Sequence, residues 1–443
     1  MAPQIGNLSV YILTFNAART FIDVDAFASQ LLNGLPSSTL PDLFVLSLQE
    51  LAPLSLSFLG GASLIPYFKR YSQAVHKAAG RNVYSTVAVR NLGMTGMMVF
   101  ARDKESVKDL ETAGVGVGVR EMGDKGAVGV RLRYVKDGES TEVTFVAAHL
   151  RAMEDAVEGR NADWEAIVRR LVFSSEAAGG QSVGDGELQP LLSLSARDAS
   201  LYKSTSHLFV AGDLNYRTSS LKPTPEDYHK TFPQPQDDEG DARHWRELFK
   251  SDQLNQEKCA GRTLHGLKEA EIDFPPTYKY DVSKGKGQEF LTPDEDVTKW
   301  HWAAHRWPSW CDRILYLENP SWARGKGKIT PLKYVALPSL PSSDHRPVAL
   351  SLTIPVGTIP SPSDEDSESQ DPRITPPYRV DIDWKKRNDF ARNVESLAGY
   401  VLYLTTTWEG GVVALACVAG VFGAAFALKS MVISEQYRQR VLE

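Results

Sequence analysis

The stretch H-L-F-V-A-G-D-L-N-Y-R, His207 to Arg217, sets an apolar run directly against a cluster of Asp, Asn and Arg. A run of this kind reads as a buried strand, covered on both faces, that delivers polar side chains at its end. Asp213 and Asn215 are two residues apart, so on an extended chain both face the same way, and Arg217 continues that face with a cation. W-P-S-W-C-D-R-I-L, Trp307 to Leu315, mirrors the pattern, with Asp312 and Arg313 leading into an apolar run. Working outward, strands are predicted at Ser9 to Phe15, Asp42 to Gln49, Val83 to Val89, Met97 to Ala101, Ala127 to Tyr134, Glu142 to Ala148, Leu208 to Gly212, Arg313 to Leu317 and Pro347 to Leu352. Helical spacing fits Val24 to Leu32, Asp155 to Phe173 and Arg243 to Leu248. Residues 1–353 therefore read as one mixed α/β domain, with surface insertions at Ser174 to Ser200 and Ser219 to Gly240, both rich in Gly, Pro, Ser and acids.

The 443-residue chain carries a formal net charge of -6, which argues against a general nucleic-acid binder. Four of those negative charges belong to one segment: in 358 to 377 Asp364, Glu365, Asp366, Glu368 and Asp371 face only Arg373. The surrounding stretch, 354–377, reads as a disordered acidic linker, followed by a juxtamembrane segment at 378–409. The three cysteines, Cys259, Cys311 and Cys417, match neither a disulfide framework nor a zinc site, as expected of a reducing, cytosol-facing compartment. Gly410 to Leu428 holds no charged residue, and at about 1.5 Å per residue it spans roughly 28 Å, close to the hydrocarbon thickness of a bilayer. With 429–443 as a short tail, this reads as a tail anchor. Its short, Ala- and Gly-rich composition favours a thin bilayer such as the endoplasmic reticulum, with the α/β domain facing the cytosol.

Other polar residues end apolar runs as Asp213 does: Asn16 in Y-I-L-T-F-N, Glu50 in L-S-L-Q-E and His149 in V-A-A-H-L. Asp344 and His345, in S-S-D-H-R-P-V, sit just before another apolar run. Hydrolysis of a phosphate ester needs a cation to offset charge, an activated water and stabilisation of the leaving oxygen, and these residues can supply all three. The oxygens of Asn16 and Glu50 suit Mg²⁺. Read alone, each has a plainer alternative: G-D-x-N makes ordinary turns, strand-end Glu is usually solvated, and a lone strand-end His is usually structural.

The segments at 207–217 and 307–315 resemble the two signature motifs of the inositol polyphosphate 5-phosphatases, here of the fungal tail-anchored type, Mg²⁺-dependent enzymes within the DNase I-like superfamily of endonucleases, exonucleases and phosphatases. That resemblance implies a DNase I-like four-layer sandwich of two mixed β-sheets flanked by helices, with a C-terminal transmembrane helix added. It implies metal ligation by Asn16 and Glu50, water activation by Asp213 with Asn215 orienting the phosphate or the water, and phosphate stabilisation by His149, Asp344 and His345. E-M-G-D-K-G-A-V, 121 to 128, resembles a family loop in which Lys125 is the phosphate-facing cation. F-P-P-T-Y-K-Y, 274 to 280, places Tyr278 and Lys279 where the family grips a phosphate at the inositol 4-position. Arg217 and Arg313 are expected among the substrate-binding groups, although Asp312 and Arg313 fit a buried ion pair equally well.

The sequence departs from the family at Phe15, where Trp is usual, at Ala17 and Ala18, where a Gly is usual, at Asp124 in place of Asn, and at Ala270 in place of Gly. The implied activity is removal of the 5-phosphate from phosphatidylinositol 4,5-bisphosphate at a membrane surface, with no nucleic-acid partner. A nuclease on the same fold and an inactive, membrane-anchored inositide-binding adaptor are the alternatives. The oligomeric state is not legible in the sequence.

Overall fold

A computed structural model describes residues 6–175, 197–283, 299–323, 327–366 and 368–442. Among the described residues, thirteen strands form two sheets. The first contains β1 (Asn7–Asn16), β2 (Leu43–Gln49), β3 (Ser85–Leu92), β4 (Thr95–Ala101), β12 (Thr330–Ala336) and β13 (Val348–Pro355), in the order β12-β13-β1-β2-β4-β3. The second contains β5 (Val107–Gly116), β6 (Gly126–Lys136), β7 (Glu139–His149), β8 (Ser174–Ser175), β9 (His207–Asp213), β10 (Leu267–Glu269) and β11 (Asp312–Leu317), in the order β10-β11-β9-β7-β6-β5-β8. Each sheet is mixed: β1 with β2 and β7 with β9 are parallel, and every other pairing is antiparallel.

Because side chains alternate along a strand, each sheet has one face for the other sheet and one for helices. Val10, Ile12, Val45 and Val99 meet Val130, Phe145, Phe209 and Ile314 between the sheets. The opposite residues of the first sheet, Tyr11, Leu13, Phe44 and Leu46, pack on α1 (Val24–Gln30), α3 (Ile65–Ala79) and their neighbours, beside the short α2 (Leu54–Leu59). On the far side of the second sheet, Val146, Ala148, Leu208 and Val210 pack on Trp164, Ile167 and Val168 of α4 (Val157–Arg170). The result is the expected four-layer sandwich. Short helices α5 (Pro225–Lys230), α6 (Trp245–Phe249) and α7 (Gln253–Cys259) follow β9. Within 219–240, predicted as a surface insertion, Phe232 is buried against Trp302, Trp300 and Tyr280. Most of the insertion predicted at 174–200 lies outside the described residues.

β5, β12 and α3 were not anticipated. β5 carries Lys108, Asp109 and Glu111 near its start and is only partly covered, so its apolar signal is diluted.

Residues 354–377 do not behave as the disordered spacer expected from their acidity. Ile359 is buried, Pro360 accepts a 2.9 Å hydrogen bond from Trp322, and the buried Arg373 guanidinium pairs with Asp371 at 3.0 Å while donating to the carbonyl of Glu318 at 2.8 Å. A single buried cation, bonded through its two terminal nitrogens, pins a segment whose composition alone suggests it is free.

The juxtamembrane segment folds as α8 (Trp384–Thr406), and α9 (Trp408–Leu442) follows it after one residue, Thr407. α8 packs on α2 and on the loop before β6: buried Glu395 accepts from the Gly123 backbone N–H at 2.9 Å, and Asn388 donates to the Gly114 carbonyl at 3.1 Å. Glu395→Leu leaves that buried N–H without an acceptor, at a cost of about 1–3 kcal/mol. A lowered thermal midpoint in circular dichroism is the expected result, and an unchanged one would remove α8 from the folded body. The apolar length of α9 runs from Trp408 to Ser434, 27 residues, long and apolar enough to cross a membrane and longer than the 19-residue uncharged core. Length by itself therefore no longer selects a thin bilayer.

Candidate active site

The site lies at the C-terminal ends of the parallel strands. All seven residues of β9 are buried, as a central strand requires, and its register sets Asp213 beside His149 of β7 on one side and Asp312 of β11 on the other. Gly212 makes this close approach feasible, since a Cβ there would lie 1.9 Å from the Ala148 carbonyl oxygen. From the other sheet, Asn16 closes the cleft by donating its amide to Asp213 Oδ2 at 2.9 Å. His345 arrives on the loop before β13, fixed by Ser343, whose hydroxyl donates to the Asn16 carbonyl at 2.6 Å and accepts from His345 N–H at 3.1 Å.

Asp213 is the hub. One carboxylate oxygen accepts from Asn16 and lies 3.4 Å from His149 Nε2 and 3.9 Å from His345 Nε2; the other accepts from the Asn215 N–H at 3.1 Å. Burial alone would raise its pKa, but the charge of His345, the hydrogen bond and charge of His149, and Lys125 outweigh it and hold the carboxyl far below the usual carboxylate range.

The two histidines are driven apart. Burial and the adjacent Lys125 ammonium lower the pKa of His149. Burial also disfavours the charged form of His345, yet Asp312 and Asp213 overcome it and push its pKa up to about 9. The carboxylate that orients His345 is Asp312, 2.9 Å from Nδ1 and itself held by a 2.7 Å hydrogen bond from Thr277. Asp344, the neighbour in sequence expected to act with His345, turns instead to Lys279 and forms an ion pair there. Adjacent residues project to opposite sides, so the partner across the fold wins over the partner in the chain.

A group whose folded pKa is raised contributes stability that is complete below its unfolded value, about 6.5, and is lost as pH rises through about 9. The wild-type melting temperature is therefore expected to fall over that interval more steeply than that of His345→Gln. Parallel curves would show that His345 carries no charge in the fold.

The other predicted residues divide into those facing the cleft and those buried beside it. Lys125 contacts His149 Nε2 and lies 3.9 Å from Glu50 Oε1; burial lowers its pKa against the pull of Asp213 and Glu50. Glu50, in a left-handed backbone conformation (φ 46°) just past β2, also binds Arg19 at 2.8 Å. Asn215 donates to the Leu150 carbonyl at 3.0 Å and accepts from Arg217, whose guanidinium is buried 4.4 Å above the Tyr278 ring. Tyr278 in turn packs on His345 with ring centroids 4.5 Å apart. Arg217 is thus a rigid support under Tyr278 and Asn215.

Arg313 is not at the site. It alternates with Asp312 along β11 and points to the opposite face, fully buried between Asp252 at 3.0 Å and Glu269 at 2.6 Å. Residues that the sequence reading did not single out are Thr277, Ser343 and Arg19. Thr277 stands inside the quoted P-P-T-Y-K-Y, where a buried hydroxyl beside Asp312 gives no separate signal.

The donor chemistry fits a hard divalent cation. Glu50 and Asn16 offer oxygens at the ends of adjacent parallel strands, with Asn16 opposite Gln49, and the neighbouring Asp213 adds negative charge. The ammonium of Lys125 sits among Glu50, His149 and Asp213, where the two carboxylates favour a cation and burial opposes it. Among the described residues, Asp213, Asp312 and His345 also bring ligand-capable atoms within 4.8 Å of one another. Asp312 Oδ2 and His345 Nδ1 of that group already engage each other at 2.9 Å.

Type II inositol polyphosphate 5-phosphatase 14 of Arabidopsis thaliana is 31% identical over 299 residues, 61% of this chain and 23% of the relative. Type II inositol 1,4,5-trisphosphate 5-phosphatase of Mus musculus is 28% identical over 331 residues, 73% of this chain and 28% of the relative. The match thus spans about a quarter of each relative's length. The fold is shared with the crystal structure of the inositol polyphosphate 5-phosphatase domain of SPsynaptojanin, in complex with inositol (1,4)-bisphosphate and calcium ion. The TM-score is 0.55 at 21% identity, over 88% of this chain and 94% of that one, which makes the sandwich DNase I-like. The profile of Endonuclease/Exonuclease/phosphatase family 2 matches residues 13–351, well over half of the chain and all of the cleft, and the protein belongs to that family.

Proposed function

We propose that this protein is a Mg²⁺-dependent phosphomonoesterase that removes the 5-phosphate from phosphatidylinositol 4,5-bisphosphate at a membrane surface. The observation that carries this reading is the buried Asp213 hub, which gathers Asn16, His149 and Asp312 from three neighbouring strands, and His345 from a loop, around one carboxylate. A phosphate monoester brings two negative charges into a cleft that already holds Lys125, His345 and Lys279 as cations. The similarity to 5-phosphatases of inositol phosphates, together with Tyr278 and Lys279 beside His345, supports an inositol ring with a phosphate next to the one cleaved.

Asp213 is ionised throughout the working range, and its fixed lone pairs orient an attacking water and accept its proton as the new P–O bond forms. His345, charged and locked by Asp312, donates to the phosphate as negative charge moves towards the leaving oxygen. His149 Nε2 lies between Lys125 and Asp213 and can serve only one of them. A phosphate that draws Lys125 towards itself leaves His149 free to donate. Glu50 and Asn16 would hold Mg²⁺, which when bound offsets phosphate charge and stabilises the leaving oxygen.

α9, whose side chains from Trp408 to Ser434 lie outside the folded body, anchors the protein in a bilayer. The Ala- and Gly-rich composition of its uncharged core, Gly410 to Leu428, and not its length, is the ground for proposing the endoplasmic reticulum as the membrane, with the catalytic domain on the cytosolic side. The deciding experiment is phosphate release by the full chain from 3-, 4- and 5-phosphorylated inositides, soluble and in vesicles, with Mg²⁺ and with chelator, beside nicked and abasic DNA. Release confined to 5-phosphorylated inositides and lost on chelation is expected. Faster cleavage of DNA, or no turnover of inositides, would falsify the proposal.

A further inference from the structure

α8 has two faces of opposite kinds. Ala391, Glu395 and Gly399, four residues apart, are buried on the catalytic domain, with Gly399 against Phe58 and Leu59 of α2. The other face carries large apolar side chains in the open: Phe390 is 65% exposed, Leu397 67%, Val401 53% and Leu404 36%, with Tyr400 at 62% on the flank. Their spacing of seven, four and three residues places them on one stripe of the helix. Such a stripe on a soluble face marks an interaction surface.

What covers it follows from three observations. First, Thr407 is the only residue between α8 and α9, and Gly411 N–H bonds the Thr407 carbonyl at 3.0 Å while Gly410 N–H bonds its hydroxyl at 3.0 Å, so the joint is short and held. Wherever α9 enters a bilayer, the Leu404 end of α8 lies at its surface. Second, Lys385, Lys386, Arg387 and Arg392 of α8 are exposed; Lys385 pairs with Asp389, Arg387 with Asp381 and Glu121, and Arg392 with Glu395, while Lys386 lies on the flank of the stripe. Third, Trp408, 82% exposed at the joint, suits the headgroup level where aromatic side chains concentrate.

We propose that α8 is an interfacial helix, with Phe390, Leu397, Val401 and Leu404 set into the headgroup boundary of an anionic bilayer while Glu395 and Gly399 hold the catalytic domain on its other side. This rests on the reading of α9 as a membrane span. An apolar stripe with a lysine, Lys386, on its flank binds such surfaces chiefly by burial of apolar area, with attraction to anionic lipid added. The same helix would then fix the distance between the cleft and its lipid substrate, because Glu395 bonds Gly123, two residues from Lys125.

The test uses the full chain with Cys259→Ser and Cys417→Ser, spin-labelled through Leu397→Cys, in vesicles of phosphatidylcholine and phosphatidylserine; a Glu226→Cys label on the exposed face of α5 is the aqueous control. Expected is a label at 397 that is reached by oxygen dissolved in lipid and shielded from a water-soluble nickel chelate, unlike the label at 226. Nickel access equal at both positions overturns the proposal. So does dipolar broadening between labels at 397, which would show a second copy of the chain on the stripe. Carbonate extraction reports separately on α9: a chain that resists extraction while its 397 label is bare in water leaves the anchor standing and removes the interfacial helix. In parallel, Leu397→Glu with Val401→Glu is expected to lower turnover of vesicle-borne substrate roughly tenfold and leave turnover of a soluble 5-phosphorylated inositol phosphate unchanged. Equal turnover on vesicles would count against the proposal.

Discussion

Asp213→Asn is expected to reduce kcat/KM for a 5-phosphorylated inositide by at least about 10³-fold, within the range for loss of a positioned proton acceptor and more if the surrounding groups act as a unit. The size follows from how fully the carboxylate is used. Oδ2 accepts from Asn16 and Oδ1 accepts from the Asn215 N–H, so an amide in either orientation turns its NH₂ onto an existing donor. The side chain must rotate or Asn16 must move, and Asn16 is a proposed metal ligand. The substitution also removes the negative charge that holds Lys125 and His345 together in the cleft. Asp344→Asn makes the useful contrast. Its partner is Lys279 at the rim of the cleft, so the expected effect is a raised KM with a smaller change in kcat. Steady-state phosphate release on both variants, with circular dichroism to show that each is folded, separates the hub from the rim. An Asp213→Asn enzyme within threefold of wild type would remove Asp213 from the chemistry.

Much of this arrangement is legible in the sequence because the fold buries its central strands completely. β9 and β2 read as continuous apolar runs, and in both the polar residue that ends the run, Asp213 or Glu50, is delivered to the cleft. Asn16 and His149 follow the same rule, since a parallel strand flanked on both sides offers its polar groups only at its end. What periodicity does not encode is pairing across the fold. Asp312, on β11, and His345, on the loop before β13, are 33 residues apart, and no pattern in either segment says that this carboxylate, rather than the adjacent Asp344, holds the imidazole. α8 escaped recognition for a related reason: apolar residues on both faces blur the single stripe by which an amphipathic helix is found. At 354–377, composition outweighed one buried Arg373 that fixes the segment to the domain.

The same limit explains Arg313, where the second large effect is expected. Arg313→Met should destabilise the fold by about 3–5 kcal/mol, the usual cost of removing one partner from a buried ionic group. The guanidinium is completely buried and donates to both oxygens of Glu269, at 2.8 and 2.6 Å, and to both oxygens of Asp252, at 3.0 and 3.1 Å. Asp252 also caps α7 by accepting from the Asn255 N–H at 2.9 Å, and Glu269 accepts from the Tyr334 hydroxyl at 2.7 Å. One cation therefore ties α7, β10 and β12 to β11. Its removal leaves two carboxylates with little solvent, and each must take up a proton or drag water inwards. Loss of stability should accordingly ease as pH falls towards the range where carboxyls protonate, the opposite of the trend expected around His345. Denaturant unfolding of wild type and Arg313→Met at neutral and mildly acidic pH measures both quantities. Folded enzyme recovered in the cold should retain kcat, because Arg313 faces away from Asp213 while Asp312, its neighbour on β11, faces towards it. A variant as stable as wild type but defective in substrate affinity would return Arg313 to the substrate-binding role that its motif suggests.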